Sequence, residues 1–238
     1  MRMTQKQIKD AAILFAKKNK LRIAKTLTDP NHFAPSKIPV SIFMAGSPGA
    51  GKTEFSKGLL GFFGTRRPNA IRIDSDELRS YFPEYIGGNS KLFQGGVSIL
   101  VEKIHDLALK NGQNFILDGT FWQQNKAFQN IDRSLAKNRL VFIFYIYQAP
   151  KVAWNFAKKR ELLEGRRIPK YAFIEQFIGA RKTVNYVRSK YGSEVAIYFV
   201  EKNYEKNTVK QLTEIKLGQS VDQYIPNIYT KKALNKIL

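Results

Sequence analysis

The chain contains no cysteine. Disulfides, thiolate metal centres and cysteine nucleophiles are therefore excluded, and the composition fits a reducing compartment. Long apolar runs are missing as well. The most apolar stretch, Val141 to Tyr147, has the length of a strand and falls far short of a membrane span. Ala11 to Ala16 is short and flanked by lysines, so the N-terminus shows no signal-peptide pattern. These absences predict a soluble, cytoplasmic protein that does not engage a membrane. There is no internal repeat and no low-complexity tract. Acidic residues are scarce: 19 Asp and Glu stand against 40 Lys and Arg, a net charge of +21. Such a field attracts phosphates on nucleotides, nucleic acid or anionic lipid, and equally an acidic protein; a merely Lys-rich surface gives the same number.

What is present suffices for a core. The 238 residues are 43% hydrophobic and 13% aromatic, enough for one domain that folds without staples. Ile8, Ala11, Ala12 and Phe15 fall at helical spacing and predict an amphipathic N-terminal helix packed on the domain. Asp29-Pro30-Asn31 and Pro35 break it. From Ile38 strands and helices alternate. Strands are expected over Val40 to Ala45, Ala70 to Ile73, Asn114 to Leu117, Leu140 to Tyr147 and Glu194 to Val200. Helices are expected between them, a long one from Lys91 to Lys110, and further ones near 151–163 and 171–190. This alternation predicts an α/β fold: a parallel sheet of about five strands with helices on both faces. The chain divides into an N-terminal helix and connector (1–37), a core (38–203) and a C-terminal extension (204–238) in one globular unit. Ligands of such sheets bind beyond the carboxyl ends of the strands.

At the end of the first expected strand stands Gly46-Ser47-Pro48-Gly49-Ala50-Gly51-Lys52-Thr53. This is G-x-x-x-x-G-K-[ST], which arises by chance in such a chain on the order of once in a hundred. Its glycines let backbone N–H groups wrap a triphosphate, and the following helix adds its positive end. Lys52 is placed to reach the β- and γ-phosphates and Thr53 to ligate Mg²⁺. The implied cofactors are ATP, with GTP as the alternative, and Mg²⁺.

Two further strand ends carry acids. Phe115-Ile116-Leu117-Asp118 puts a carboxylate where P-loop enzymes hold the metal, and Thr120 follows with a hydroxyl toward substrate. Ile73-Asp74-Ser75-Asp76-Glu77 offers two more. Asp74 with Glu77 reads as a capping box for a helix over 75–81, which leaves Asp76 to face the cleft as the base for an acceptor hydroxyl. A basic segment, Arg160 to Pro169, carries Arg160, Arg166 and Arg167. Its forked donors suit the charge of a moving phosphoryl group, with one of Arg166 and Arg167 facing in and the other out.

Together these motifs, from Ala45-Gly46 through Ile73-Asp74-Ser75-Asp76 and Leu117-Asp118-Gly119-Thr120 to the arginines, resemble the zeta toxin family over roughly Ile38 to Asn203. The resemblance implies a P-loop kinase that phosphorylates the 3′-hydroxyl of UDP-N-acetylglucosamine, blocks cell-wall synthesis and is held by a small antitoxin. It implies Asp76 as base, Lys52, Arg160 and Arg166 or Arg167 as catalytic cations, and Glu102, Asp118 and Thr120 as substrate contacts. The chain departs from the family at Phe82-Pro83, where His-Pro is common. It departs again at Trp122, where an Arg is expected, and at Asp118, which replaces a Glu. A kinase for nucleic-acid 5′-hydroxyls or another small hydroxyl compound is the alternative, and an ATP-switched binding protein a third reading.

Overall fold

The computed structural model describes residues 3–64, 69–203 and 208–238. It opens with α1 (Gln5–Leu27). Thr4 Oγ1 accepts the Gln7 N–H at 3.3 Å, and Gln7 Oε1 accepts the Thr4 N–H at 2.8 Å. This reciprocal pair satisfies two otherwise orphaned donors and fixes where the helix starts. The buried residues of α1 are Ala12, Ala16, Ile23 and Ala24, and the helix lies along α3 (Gln94–Lys110). Its apolar stripe is thus packed on the domain, as its spacing predicted.

The remaining elements are β1 (Val40–Ala45), α2 (Lys52–Leu60), β2 (Ile71–Asp74), β3 (Phe115–Asp118), α4 (Gln124–Leu135) and β4 (Leu140–Tyr147). They are followed by α5 (Pro150–Glu164), α6 (Lys170–Tyr191), β5 (Val195–Asn203), β6 (Thr208–Glu214) and α7 (Lys231–Ile237). The sheet order is β2-β3-β1-β4-β5-β6. The first five strands are mutually parallel, and β6 adds antiparallel to β5. The sixth strand is absent from the sequence reading for a physical reason. Thr208–Glu214 is an exposed polar edge joined through main-chain pairing, so it carries no apolar alternation to detect.

Both faces of the parallel part of the sheet are covered, which accounts for the near-continuous apolar strands there. Ile42, Met44, Ile116, Ile146 and Val200 face α2, with Phe55 and Leu59 against them. Phe43, Phe115, Ile143, Ile197 and Phe199 belong to the larger core on the other face. Phe82, where the family often has His, is 2% exposed; its ring centroid lies 5.3 Å from that of Phe15 on α1 and 5.4 Å from that of Phe93. It is a packing anchor rather than a cleft residue. No helix among the described residues is long and apolar enough to cross a membrane.

Candidate active site

The carboxyl ends of β1, β3 and β2 lie side by side, and each delivers one part of the site. After β1 the chain turns through Ser47 to Gly51 into α2. Gly49 has φ +73°, and a Cβ there would drive into the Ala153 carbonyl of α5, so no other residue fits this turn. The cap of α2, Gly51, offers no side-chain acceptor. The first-turn amides are therefore available to an anion, with the helix dipole behind them. Lys52 Nζ donates to the carbonyls of Gly46 (3.1 Å) and Ser47 (2.7 Å), which keeps the ammonium at the loop. Burial pushes its pKa down to about 8 against the pull of Asp118, Asp76 and Asp74, and the nearby Arg160 adds to the lowering. The Gly46 N–H donates to the Thr120 carbonyl at 3.2 Å, which ties the loop to the turn after β3.

At the end of β3, Asp118 is buried. Its Oδ2 takes Ser56 Oγ of α2 at 2.8 Å and Arg72 Nη2 at 2.6 Å. Among the described residues no hydrogen bond falls on its Oδ1. At the end of β2, Asp74 does not form the expected capping box. Its Oδ1 accepts the Asp76 N–H at 2.7 Å, an Asx turn, and its Oδ2 is bonded by Arg72. Glu77 is drawn instead to Arg72 Nη1 at 2.6 Å. The turn that follows, Glu77–Tyr81, is a short 3₁₀ helix. Burial raises the Asp74 pKa to about 6, helped by the charges of Asp118 and Asp76 and opposed by the Asp76 amide and by Arg72.

Asp76 projects from this turn and is about one-third exposed, at 32%. Its Oδ1 is bonded by Arg79, and its Oδ2 by Arg166 and, at 3.3 Å, by Arg160. The basic segment thus divides, one of its two adjacent arginines facing in and the other out. Arg166 is 16% exposed and turns to Asp76, while Arg167 is 74% exposed, 3.5 Å from Glu161 on the outer side. Gly165, at φ +68°, ends α5 and reverses the chain between Arg160 and Arg166; a Cβ there would sit 2.8 Å from the Gly88 amide. The basic segment therefore rests against the loop that follows the Asp76 turn.

The structure brings Lys52, Thr53, Asp76, Asp118, Arg160 and Arg166 to one edge of the sheet. It does not join Glu102 to them by any hydrogen bond or ion pair. Glu102, on α3, is bonded by Lys126 and, at 3.2 Å, by Arg133, both of α4. Trp122 is 36% exposed; its Cβ and ring edge lie over Gly179 of α6 and its carbonyl accepts the Thr183 hydroxyl at 3.2 Å. Sequence reasoning missed Arg72, Arg79 and Ser56. A signal existed for two of them. Arg72 is a charge between Ile71 and Ile73 in a strand whose flanking residues are buried, and Arg79 stands three residues after Asp76, the spacing of a helical-turn ion pair.

Among the described residues there is no cluster of three or more metal-binding side chains. A metal cage made by the protein alone is not built. One hydroxyl at Thr53 and one carboxylate at Asp118 form a donor set that fits Mg²⁺, which is usually bound by one or two carboxylates together with substrate phosphates.

Residues 23–211 match the profile described as zeta toxin. No curated protein matches the chain. Among solved structures, a chain from the PezAT chromosomal toxin–antitoxin system of Streptococcus pneumoniae superimposes with a TM-score of 0.68 at 15% identity, covering 93% of this chain and 91% of that one. AvrRxo1-ORF1:AvrRxo1-ORF2 with sulphate ions gives 0.58 at 12% identity, covering 98% and 72%; the complex with ATP gives 0.59 at 12%, covering 98% and 74%. At these identities the structural likeness establishes the fold.

Proposed function

The chain belongs to the zeta toxin family, and on that premise we propose that it is a toxin kinase that moves the γ-phosphoryl group of ATP onto a hydroxyl of a sugar nucleotide. UDP-N-acetylglucosamine, at its 3′-hydroxyl, is the acceptor of choice, and a small antitoxin protein is the partner. The observation that carries the reading is Asp76, held by Arg160 and Arg166 beside the Lys52 loop.

Each residue has a part. The amides of the Gly46–Gly51 turn and Lys52 bind and orient the phosphates. Thr53 and Asp118 would hold Mg²⁺, which when bound would supply charge that neutralises the phosphates. Asp76 accepts a hydrogen bond from the acceptor hydroxyl, aims its oxygen at phosphorus and takes the proton as the new P–O bond forms and the bond from the γ-phosphorus to the bridging oxygen breaks, releasing ADP. Arg160 and Arg166 then direct their donors to the oxygens of the group in transit. Little covalent work falls to the protein in such a transfer, so placement of these groups is most of the catalysis. Thr120, beside the loop, and Glu102, across on α3, are proposed contacts to the acceptor. For the partner, the charge of +21 favours an acidic protein, and the PezAT chain comes from a toxin–antitoxin system.

The same charge supports a second reading, a kinase for nucleic-acid 5′-hydroxyls. One experiment separates the two. The protein is incubated with γ-labelled ATP, or GTP, and a panel of UDP-sugars, short oligonucleotides and aminoglycosides. Label on UDP-N-acetylglucosamine, lost in Asp76→Ala with ATP binding kept, is the expected result. Label on oligonucleotide ends selects the second reading, and no labelled acceptor with ATP still bound returns the protein to a nucleotide-dependent binder.

A further inference from the structure

One guanidinium touches α2, the end of β3 and the turn after β2. Arg72 lies on β2 with its side chain only 6% exposed. Its Nε donates to Ser56 Oγ of α2 at 2.9 Å. Its Nη1 reaches Glu77 at 2.6 Å, and its Nη2 bonds both Asp74 and, at 2.6 Å, Asp118. Ser56 lies one turn after Thr53 on the helix that begins at the phosphate loop, and its hydroxyl also lies 3.0 Å from the Thr53 carbonyl. Asp74 holds the Asp76 amide at 2.7 Å, which sets the turn on which the proposed base stands.

From this geometry we infer that Arg72 is a positioning residue for phosphoryl transfer, locking the Thr53 helix, Asp118 and the Asp76 turn into one rigid unit. The inference rests on the kinase reading above. Arg72 touches neither nucleotide nor acceptor in this account; it acts through the groups that would.

Two physical points favour this over a plain stabilising role. Arg72 faces away from the buried Ile71 and Ile73, and its side chain and those of Asp74 and Asp118 are all under 10% exposed, so the whole ion group is taken out of water at a cost. Buried ion pairs are often matched or bettered in stability by apolar residues of similar volume, so stability alone gives little reason for a charge here. The planar fork of Arg also presents donors in fixed directions. Here those directions coincide with three separate elements, an arrangement that lysine, with one point charge, cannot reproduce. Both bonds to Asp118 fall on Oδ2, so neither Ser56 nor Arg72 occupies Oδ1, the oxygen with which Asp118 would hold a metal.

The test uses the full chain with Arg72→Lys, which keeps the charge and loses the fork. Arg72→Met with Asp74→Asn is a second variant that removes one acid along with the cation, in case the first fails to fold. Folding is checked by thermal melts. The expected result is a loss of kcat of about a hundredfold, the size of effect that misplacing reacting groups by an ångström produces, with KM for ATP changed less than about threefold. Calorimetry with and without Mg²⁺ should show the metal-dependent gain in ATP affinity reduced in the same variants. A folded variant with kcat near wild type overturns the inference, as does one in which the ATP affinity measured without Mg²⁺ falls along with kcat. If wild type labels no acceptor, the kinase reading fails separately. Calorimetry then decides alone: a lost Mg²⁺ dependence in Arg72→Lys upholds the positioning role and an unchanged one removes it. A wild type that binds no ATP removes both.

Discussion

Asp74 and Asp118 end neighbouring parallel strands directly opposite one another, and a single Arg72 nitrogen bonds both. Without that cation, two buried carboxylates in register would repel. Part of the tension remains visible in Asp74, whose pKa is pushed up to about 6 by burial and then by its acidic neighbours. The shared guanidinium is what lets the end of β3 offer a carboxylate to the phosphate loop while the end of β2 shapes the turn beneath Asp76.

The lid arginines should separate in function. Arg160 and Arg166 both bond Asp76, whereas Arg167 lies outside with Glu161. Arg166→Ala and Arg160→Ala are expected to lower kcat by roughly a hundredfold or more each, the usual cost of removing one donor to developing charge. Arg167→Ala should stay within about threefold of wild type, since exposed ion pairs contribute at most ~1 kcal/mol. Steady-state kinetics in ATP checks this. Equal loss in all three would mean that the segment acts by charge alone.

Phe82 should matter for stability and not for chemistry. Its ring bridges Phe15 of α1 and Phe93 ahead of α3. Phe82→Ala is expected to cost about 3–5 kcal/mol, the range for deleting a buried aromatic. Denaturant unfolding measures it. A cost below ~1 kcal/mol would show that α1 is not anchored through this ring, since well-buried aromatics do not come out so cheaply.

Acid should weaken the fold through His105. The ring is 1% exposed, 4.8 Å from the Phe115 ring, and its Nε2 has no hydrogen-bond partner among the described residues. Burial, with Arg133, Arg139 and Lys126 nearby, pushes its pKa down from 6.5 to about 3. Between those values the unfolded chain binds a proton that the folded chain refuses. Stability is therefore full above pH 6.5 and falls by up to about 1.4 kcal/mol per pH unit as pH drops toward 3. Asp74 opposes this below pH 6, because its raised pKa makes the folded state the better proton acceptor there. Comparing wild type with His105→Gln by unfolding at pH 7 and pH 5 isolates the histidine. The variant should show the flatter dependence, and parallel curves would assign the acid sensitivity elsewhere.

The strands themselves were within reach of sequence wherever burial imposed a pattern. Val40–Ala45 and Leu140–Tyr147 are apolar because both their faces are dry, and the expected and observed bounds coincide. Polar edge pairing leaves no such mark, so β6 went unseen. The Asp74 turn was misread for a related reason. A capping box and an Asx turn share the same local letters, and the choice between them was made by Arg72, whose fork drew Glu77 away.

The phosphate loop, the alternation that makes a parallel sheet, and the acids and arginines at strand ends and in the basic segment are all legible in the chain alone. These are local properties, written in spacing and residue type. Only the tertiary structure decided that Arg166 rather than Arg167 meets Asp76, that Glu102 is engaged by α4, and that Arg72 joins three elements. Those outcomes depend on where separate segments meet and on which buried charges need a partner there, and no single segment encodes that.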